Sequence, residues 1–484
     1  METIILFSRC DLVHLYGKLS HHLESEINVI HIAYSDQEQK ILETEYGIGG
    51  IVNFKNAVST FISKTFDTNL INEIDEVIIN ESNGRFSLNS AIQSDRTFEY
   101  YSYDECLILT QAYYCFWKSI FETKRINYIL HEPTSLFFNQ IASLLGKRYG
   151  IRYLSQISTY GLHSNNYIIV SGDDSFADEL QINLSEDRLD LDADMIYKFI
   201  QSFKEDDTTF FSEIEPEPPA LLNVIGLSFK VVISSIKKEL RILNTKKSLL
   251  NHVEYFFYKS NSGVELLKKI WETFLCLKYD NISLDDKYFY YPLHLEPEAV
   301  VLYWGDGIYK NQVKLIENIA AQLPAGNYLY VKDHPHAGYY RDYIDYKRIK
   351  AIPNVKLINP LVSGKSIIKN SIGVITINGT SGFEALLLNK QVYTFGNCYY
   401  NLCDRVVKIK NIRELRGAIF ENRDVMFSED DLLPFLAAYL NSCHKGFVNY
   451  FLDYVKIFKV NESENTQIIA QGLINYFTKC NANY

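Results

Sequence analysis

The chain has no CxxC pair, no Cys/His cluster with zinc-site spacing, and no uninterrupted apolar run of 18 or more residues. The first two absences exclude the common structural zinc modules, and the third excludes a spanning helix. The eight cysteines are scattered at 10, 106, 115, 276, 398, 403, 443 and 480. That pattern fits free thiols in a reducing compartment rather than a disulfide framework. The opening "METIILFSRCDLVHLYGKL" has a short apolar run but lacks the basic segment and small-residue cleavage site of a signal peptide. A cytoplasmic location is therefore expected, with possible peripheral contact at the inner face of a bacterial inner membrane. Positive charge is also short: the net charge is −11 and the pI about 5.6, which excludes a general nucleic-acid binder. An anionic ligand remains compatible if positive groups or helix ends gather locally.

Apolar material is abundant. Hydrophobic residues make up 47% of 484 residues, enough for two or three packed domains. "TIILFS" and "INVIHIAYS" read as buried strands with a helical segment between them. "DEVIIN" (75–80), "INYILHEP" and "IRYLSQ" read as further strands, and "SLFFNQIASLLGKRYG" as a helix. This alternation predicts a parallel sheet with helices on both faces. Alternation resumes after Tyr288, with "NQVKLIENIAAQLP" as an amphipathic helix and "NYLYVKDHPH", "NVKLIN", "IGVITIN" and "QVYTFG" as strands. Between the two lies an acidic, proline-rich stretch, "FKEDDTTFFSEIEPEPPA", and then an apolar one rich in Lys and Arg. The latter, Leu221 to Lys247, fits either a helical subdomain or a surface helix on an anionic membrane. The expected division is 1–200 for an N-terminal α/β domain, 201–285 for a linker and helical insertion, and 286–484 for a C-terminal α/β domain with a helical tail. Two such domains facing a cleft are the architecture of the GT-B glycosyltransferases.

The strand–turn–helix "IGVITINGTSGFEALLLN" carries the sharpest local signal. Gly379, Thr380, Ser381 and Gly382 follow a buried strand and lead into a helix. Backbone N–H groups at a helix start lack intrahelical partners, and small residues let a phosphate reach them. The same residues also suit ordinary helix capping. Glu384, one turn further, is placed to accept hydrogen bonds from a ribose. Two histidines in "YVKDHPHAGYY" stand just past another strand, where ligands of parallel sheets bind. Glu132, in "LHEPT", occupies the equivalent position in the first half, for acceptor binding or acid/base work. "SGDDS" (171–175) reads as a turn and not as a metal-binding DxD.

In order, "YYPLHLEPEA", "GNYLYVKDHPH", "NVKLINP" and "ITINGTSGFEALLLNKQVYTFG" resemble the capsular polysaccharide biosynthesis family, which includes retaining Kdo transferases. The resemblance spans about Tyr288 to Tyr400 and implies a GT-B-like fold. It also implies a donor in which CMP activates an ulosonic acid: Kdo, or a nonulosonic acid such as sialic, legionaminic or pseudaminic acid. By that resemblance, His334 and Pro335 of "HP" meet the donor phosphate, Lys332 helps neutralise it, Gly379 to Gly382 bind it from the helix start, and Glu384 holds the ribose. The family's acidic pair corresponds to Glu296 and Glu298, although its usual aspartate is absent from that stretch. Glu298 is the expected catalytic carboxylate, with Asp306 of "YWGDG" as rival and Glu132 third. No metal or other cofactor is expected, because a single donor phosphate needs little neutralisation. The acceptor would be an oligosaccharide or lipid-linked glycan of a bacterial surface polysaccharide. Two other functions stay open at this level: a GT-B transferase or epimerase using a nucleotide-diphosphate hexose, and a non-catalytic GT-B scaffold.

Overall fold

The computed structural model describes residues 2–186, 191–206, 224–234, 248–260, 264–296, 298–334, 341–425, 427–449 and 451–482. The acidic stretch 207–220, most of Leu221–Lys247, Pro335 and His336 lie outside the described residues. The chain divides into two compact units, Met1–Phe199 with Pro434–Tyr484, and Ile200–Leu433.

In the first unit, strands β1 (Thr3–Ser8), β2 (Asn28–Ala33), β3 (Val52–Asn53), β4 (Tyr128–Leu130) and β5 (Arg152–Thr159) are parallel, and β6 (Asn166–Ser171) turns back antiparallel against β5. In the second unit, β7 (Tyr288–Pro292), β8 (Tyr328–Lys332), β9 (Val355–Ile358), β10 (Gly373–Thr376), β11 (Gln391–Thr394) and β12 (Val406–Lys408) form one parallel sheet. A short β13 (His444–Lys445) pairs antiparallel with β6. The sheet orders are β13-β6-β5-β4-β1-β2-β3 and β12-β11-β10-β7-β8-β9. Both units thus build outward on one side of their first strand, then return to its other side. That is the doubly wound, Rossmann-like order, and it leaves a switch point between β1 and β4 and another between β7 and β10. The α/β class read from the sequence is the class observed.

The central strands are apolar because both faces are covered. All six residues of β1 are buried, as are all four of β10. Ile316, Ile319, Leu329, Val331, Leu357, Ile375 and Ile377 form the heart of the second unit's core.

Two expectations need correction. "DEVIIN" is not a strand but part of the helix Thr68–Glu81, whose buried residues are Ile74, Val77 and Ile78. The i, i+3, i+4 spacing of those residues decides for helix once the window extends upstream of Asp75. The helical tail, grouped by sequence with the C-terminal domain, belongs from Pro434 onward to the first unit. There the helix Glu462–Ala482 packs on the helix Leu12–Leu23, with Leu15, Leu19, Ile469 and Leu473 in one core. A two-residue strand and a long helix carry no sequence mark of which sheet they complete.

Candidate nucleotide-binding site

The second unit brings most of the residues singled out in the sequence to the carboxyl ends of β7, β8 and β10, around its switch point. Gly379 is the N-cap of the helix Thr380–Leu387, with φ of +97°, a backbone conformation that glycine adopts without strain. No side chain caps that helix, so neither hydroxyl of Thr380 nor Ser381 is used as an N-cap. The first-turn N–H groups therefore keep their capacity for an anion. A Cβ on Gly379 would lie 3.3 Å from the His294 ring, and one on Gly382 would lie 2.5 Å from the Tyr400 hydroxyl. That hydroxyl donates to the Gly379 carbonyl at 2.8 Å, which fixes the turn from beneath. Both glycines are thus required by close approach.

His294 follows β7 and is buried. The Thr376 hydroxyl donates to the Asn378 carbonyl at 2.5 Å and lies 3.3 Å from His294 Nε2. Its proton is committed, so Nε2 is the donor in that contact and the ring is the Nε2–H tautomer. Burial, with the positive fields of His334 and Arg341, lowers the His294 pKa to about 3. The unfolded chain takes up this proton near pH 6.5 and the folded chain does not. The folding stability that this group contributes is complete above about pH 6.5 and is lost as pH falls toward 3. Between pH 7 and 5 it should cost about 2 kcal/mol, and His294→Gln should remove that part of the slope. Urea titrations of both proteins at the two pH values check this, and an unchanged slope in His294→Gln would contradict it.

His334 stands beyond β8, partly buried, and its backbone N–H donates to Asp333 Oδ1 at 2.8 Å. Asp333 Oδ2 accepts from Arg341 Nε at 2.9 Å and from the Tyr346 hydroxyl at 2.7 Å. Arg341 continues to Glu296 Oε2 at 2.8 Å and to the His294 carbonyl at 2.9 Å. Burial works against the Arg341 charge, but Asp333 and Glu296 outweigh it and hold the guanidinium pKa above its ordinary value. Gln312 closes the network, donating to Glu296 Oε1 at 2.6 Å and accepting from the His294 N–H at 2.8 Å. The loops after β7 and β8 are therefore tied together by one buried Asp–Arg–Glu chain.

This separates the acidic pair. Glu296 is committed to Arg341 and Gln312, whereas Glu298 is partly exposed just before the π-helical turn Val300–Trp304. Asp306 follows that turn with φ of +57° and accepts from Asn397 Nδ2 at 3.2 Å. Lys332 is buried at the end of β8, and Glu384 lies in the helix beyond its first turn, partly exposed. Burial raises the pKa of the Tyr290 phenol, with the charges of Glu384 and Asp333 adding to the effect. Pro335 lies outside the described residues. Glu132 belongs to the first unit, just beyond the end of β4.

Sequence reasoning missed His294, Asp333, Arg341 and Tyr400. The first two follow β7 and β8 directly, so the strand-end rule applied to His334 reaches them as well. Arg341 and Tyr400 arrive through loops, and no local pattern marks them.

The fold defines a doubly wound α/β protein with its candidate site at a switch point. Residues 250–404 match the family described as capsule polysaccharide biosynthesis protein, which bears out over that stretch the resemblance read from the sequence. The protein FixF of Sinorhizobium fredii (strain NBRC 101917 / NGR234) is 30% identical over 145 residues, 29% of this chain and 34% of that protein. The match thus spans about a third of that relative's length. Among solved structures, the β-Kdo 2,7 transferase KpsC of Thermosulfurimonas dismutans is 12% identical, with 95% of this chain and 98% of that chain covered and a TM-score of 0.34. The β-Kdo 2,4 transferase KpsC of the same organism is 16% identical over 67% and 82%, with a TM-score of 0.32. The UDP-GlcNAc 2-epimerase of Neisseria meningitidis is 10% identical over 98% and 100%, at 0.28. Likenesses this remote carry no weight for activity.

Proposed function

We propose that this protein is a glycosyltransferase of bacterial capsule or surface polysaccharide synthesis. Its second unit takes a CMP-activated ulosonic acid and passes the sugar to a glycan acceptor. The observation that carries the reading is the uncapped helix start Thr380–Leu387, whose N-cap Gly379 stands against the His294 ring at the switch point, within a segment that matches the capsule family. Thr380, Ser381 and the backbone N–H groups would hold the phosphate, with His334 and Lys332 supplying positive charge and Glu384 accepting from the ribose. Glu298 is the carboxylate proposed to meet the anomeric carbon, as nucleophile in a retaining reaction, with Asp306 in reserve. A single phosphate asks for no metal beyond these groups. Among the described residues no helix is long and apolar enough to cross a membrane. Contact with an anionic membrane surface through Leu221–Lys247 stays part of the proposal.

His334→Ala should weaken CMP binding about ten- to a hundredfold, the worth of one charge-assisted hydrogen bond, and leave folding intact because the residue stands in a loop beyond β8 and is not fully buried. Calorimetric titration of CMP checks it, and unchanged affinity would remove His334 from the site.

A further inference from the structure

Asn397, just beyond the end of β11, uses all four of its polar groups to join three strand-end segments of the second unit. Its backbone N–H donates to the Trp304 carbonyl at 2.8 Å, and its Nδ2 donates to Asp306 Oδ1 at 3.2 Å. Both partners belong to the segment that follows Glu298. Its carbonyl accepts from Asn378 Nδ2, and Asn378 Oδ1 accepts in turn from the Gly379 N–H. Lys408, the last residue of β12, donates to Asn397 Oδ1. The approach is close on the chain's own scale. The Gly396 N–H donates to the Ile377 carbonyl at 2.8 Å, and a Cβ on Gly396 would lie 2.7 Å from that carbonyl oxygen and 2.9 Å from that of Trp304. One asparagine thus ties the turn after Glu298 to the turn that starts the uncapped helix Thr380–Leu387.

Glu298 is part of the turn that Asn397 holds. Its carbonyl accepts from the Leu302 N–H at 3.1 Å, the Val300 carbonyl from the Gly305 N–H at 2.8 Å, and the Tyr303 carbonyl from the Asp306 N–H at 3.1 Å. The backbone from 298 to 306 is therefore one hydrogen-bonded piece, gripped at its far end. Asp306 stands there with φ of +57°, a left-handed conformation that a side chain other than glycine adopts at a cost. A carboxylate that accepts an amide N–H offsets such a cost and fixes the turn in register. That contact commits one Asp306 oxygen to the geometry of the turn.

From this we infer that Asn397 and Asp306 are a positioning pair, which holds the turn bearing Glu298 in place against the phosphate-binding turn at Gly379, so that Asp306 acts through Glu298 and is not the reacting carboxylate. The role in transfer rests on the transferase reading proposed above; the mechanical coupling of the two turns does not.

Hydrogen exchange of the full chain, followed by mass spectrometry, tests the coupling. Asn397→Ala should speed exchange in the peptide 298–309 at least about tenfold, the worth of a hydrogen bond to a charged group, and leave the core strand Leu329–Val331 as protected as in the wild type. CMP affinity should be unchanged in that variant, because the backbone groups of Asn397 that hold Trp304 and Asn378 survive it. Turnover is read as CMP release from CMP-Kdo and from CMP-sialic acid. Asn397→Asp sets two carboxylates against each other and should lower kcat at least about tenfold, as a displacement of under about 1 Å at the reacting group does. Adding Asp306→Asn to it exchanges the two side chains, restores one amide–carboxylate contact, and should recover most of the loss. No recovery in the double variant, or kcat unaltered by both Asn397 substitutions, overturns the positioning role. Unchanged exchange in Asn397→Ala overturns the coupling itself. Release of CMP from neither donor by the wild-type chain strikes the transferase reading, and the exchange result then decides the inference alone.

Discussion

Glu298→Gln should lower sugar transfer by at least about a hundredfold, the low end for a positioned catalytic carboxylate, and leave CMP affinity unchanged. The substitution keeps shape and removes charge. Loss of CMP from a keto-acid sugar passes through an oxocarbenium-like state that a carboxylate near the anomeric carbon stabilises or captures. Of the family-like acidic pair, Glu296 is held by Arg341 and Gln312, and Glu298 lies partly exposed just before the turn Val300–Trp304. CMP release and acceptor glycosylation are to be measured for Glu298→Gln and Asp306→Asn side by side. Near wild-type transfer by Glu298→Gln with loss in Asp306→Asn reverses the two roles. If both variants transfer normally, the carboxylate lies outside the second unit's cluster.

Arg341→Met should destabilise the protein by about 3–5 kcal/mol, because it strands a buried carboxylate while removing a guanidinium that three groups use. Asp333 is 2% exposed and, among the described residues, would keep only the Tyr346 hydroxyl and the His334 N–H. Arg341→Lys should recover only part of the loss, since an ammonium cannot reach Asp333, Glu296 and the His294 carbonyl together. Urea denaturation measures both variants. A loss below about 1 kcal/mol for Arg341→Met would show the Asp–Arg–Glu chain to be dispensable for the fold. Asp333 also holds the His334 backbone N–H, so weakened CMP binding is expected in the same variant even where it remains folded.

The alternation of buried strands with amphipathic helices was legible because parallel strands covered on both faces must be continuously apolar, as "TIILFS" and "IGVITIN" are. The misread "DEVIIN" shows the limit of a short window: three apolar residues in six satisfy either period until Ile71 and Ile74 are counted with them. The 379–382 turn and His334 could be found because strand, turn and helix are contiguous. The network behind them could not, since Arg341 joins Asp333 to Glu296 across 45 positions of sequence.

The central claim is that the second unit is built for a nucleoside monophosphate donor. Thermal unfolding in the presence of CMP, UDP and GDP at equal concentration tests it most directly. A ligand at a hundred times its dissociation constant stabilises the folded state by about 2.7 kcal/mol, enough to move a melting transition visibly. CMP alone should raise the transition, and the rise should fall to about half or less in His334→Ala. A rise with UDP or GDP and none with CMP would contradict the account and make the chain a user of nucleotide-diphosphate sugars.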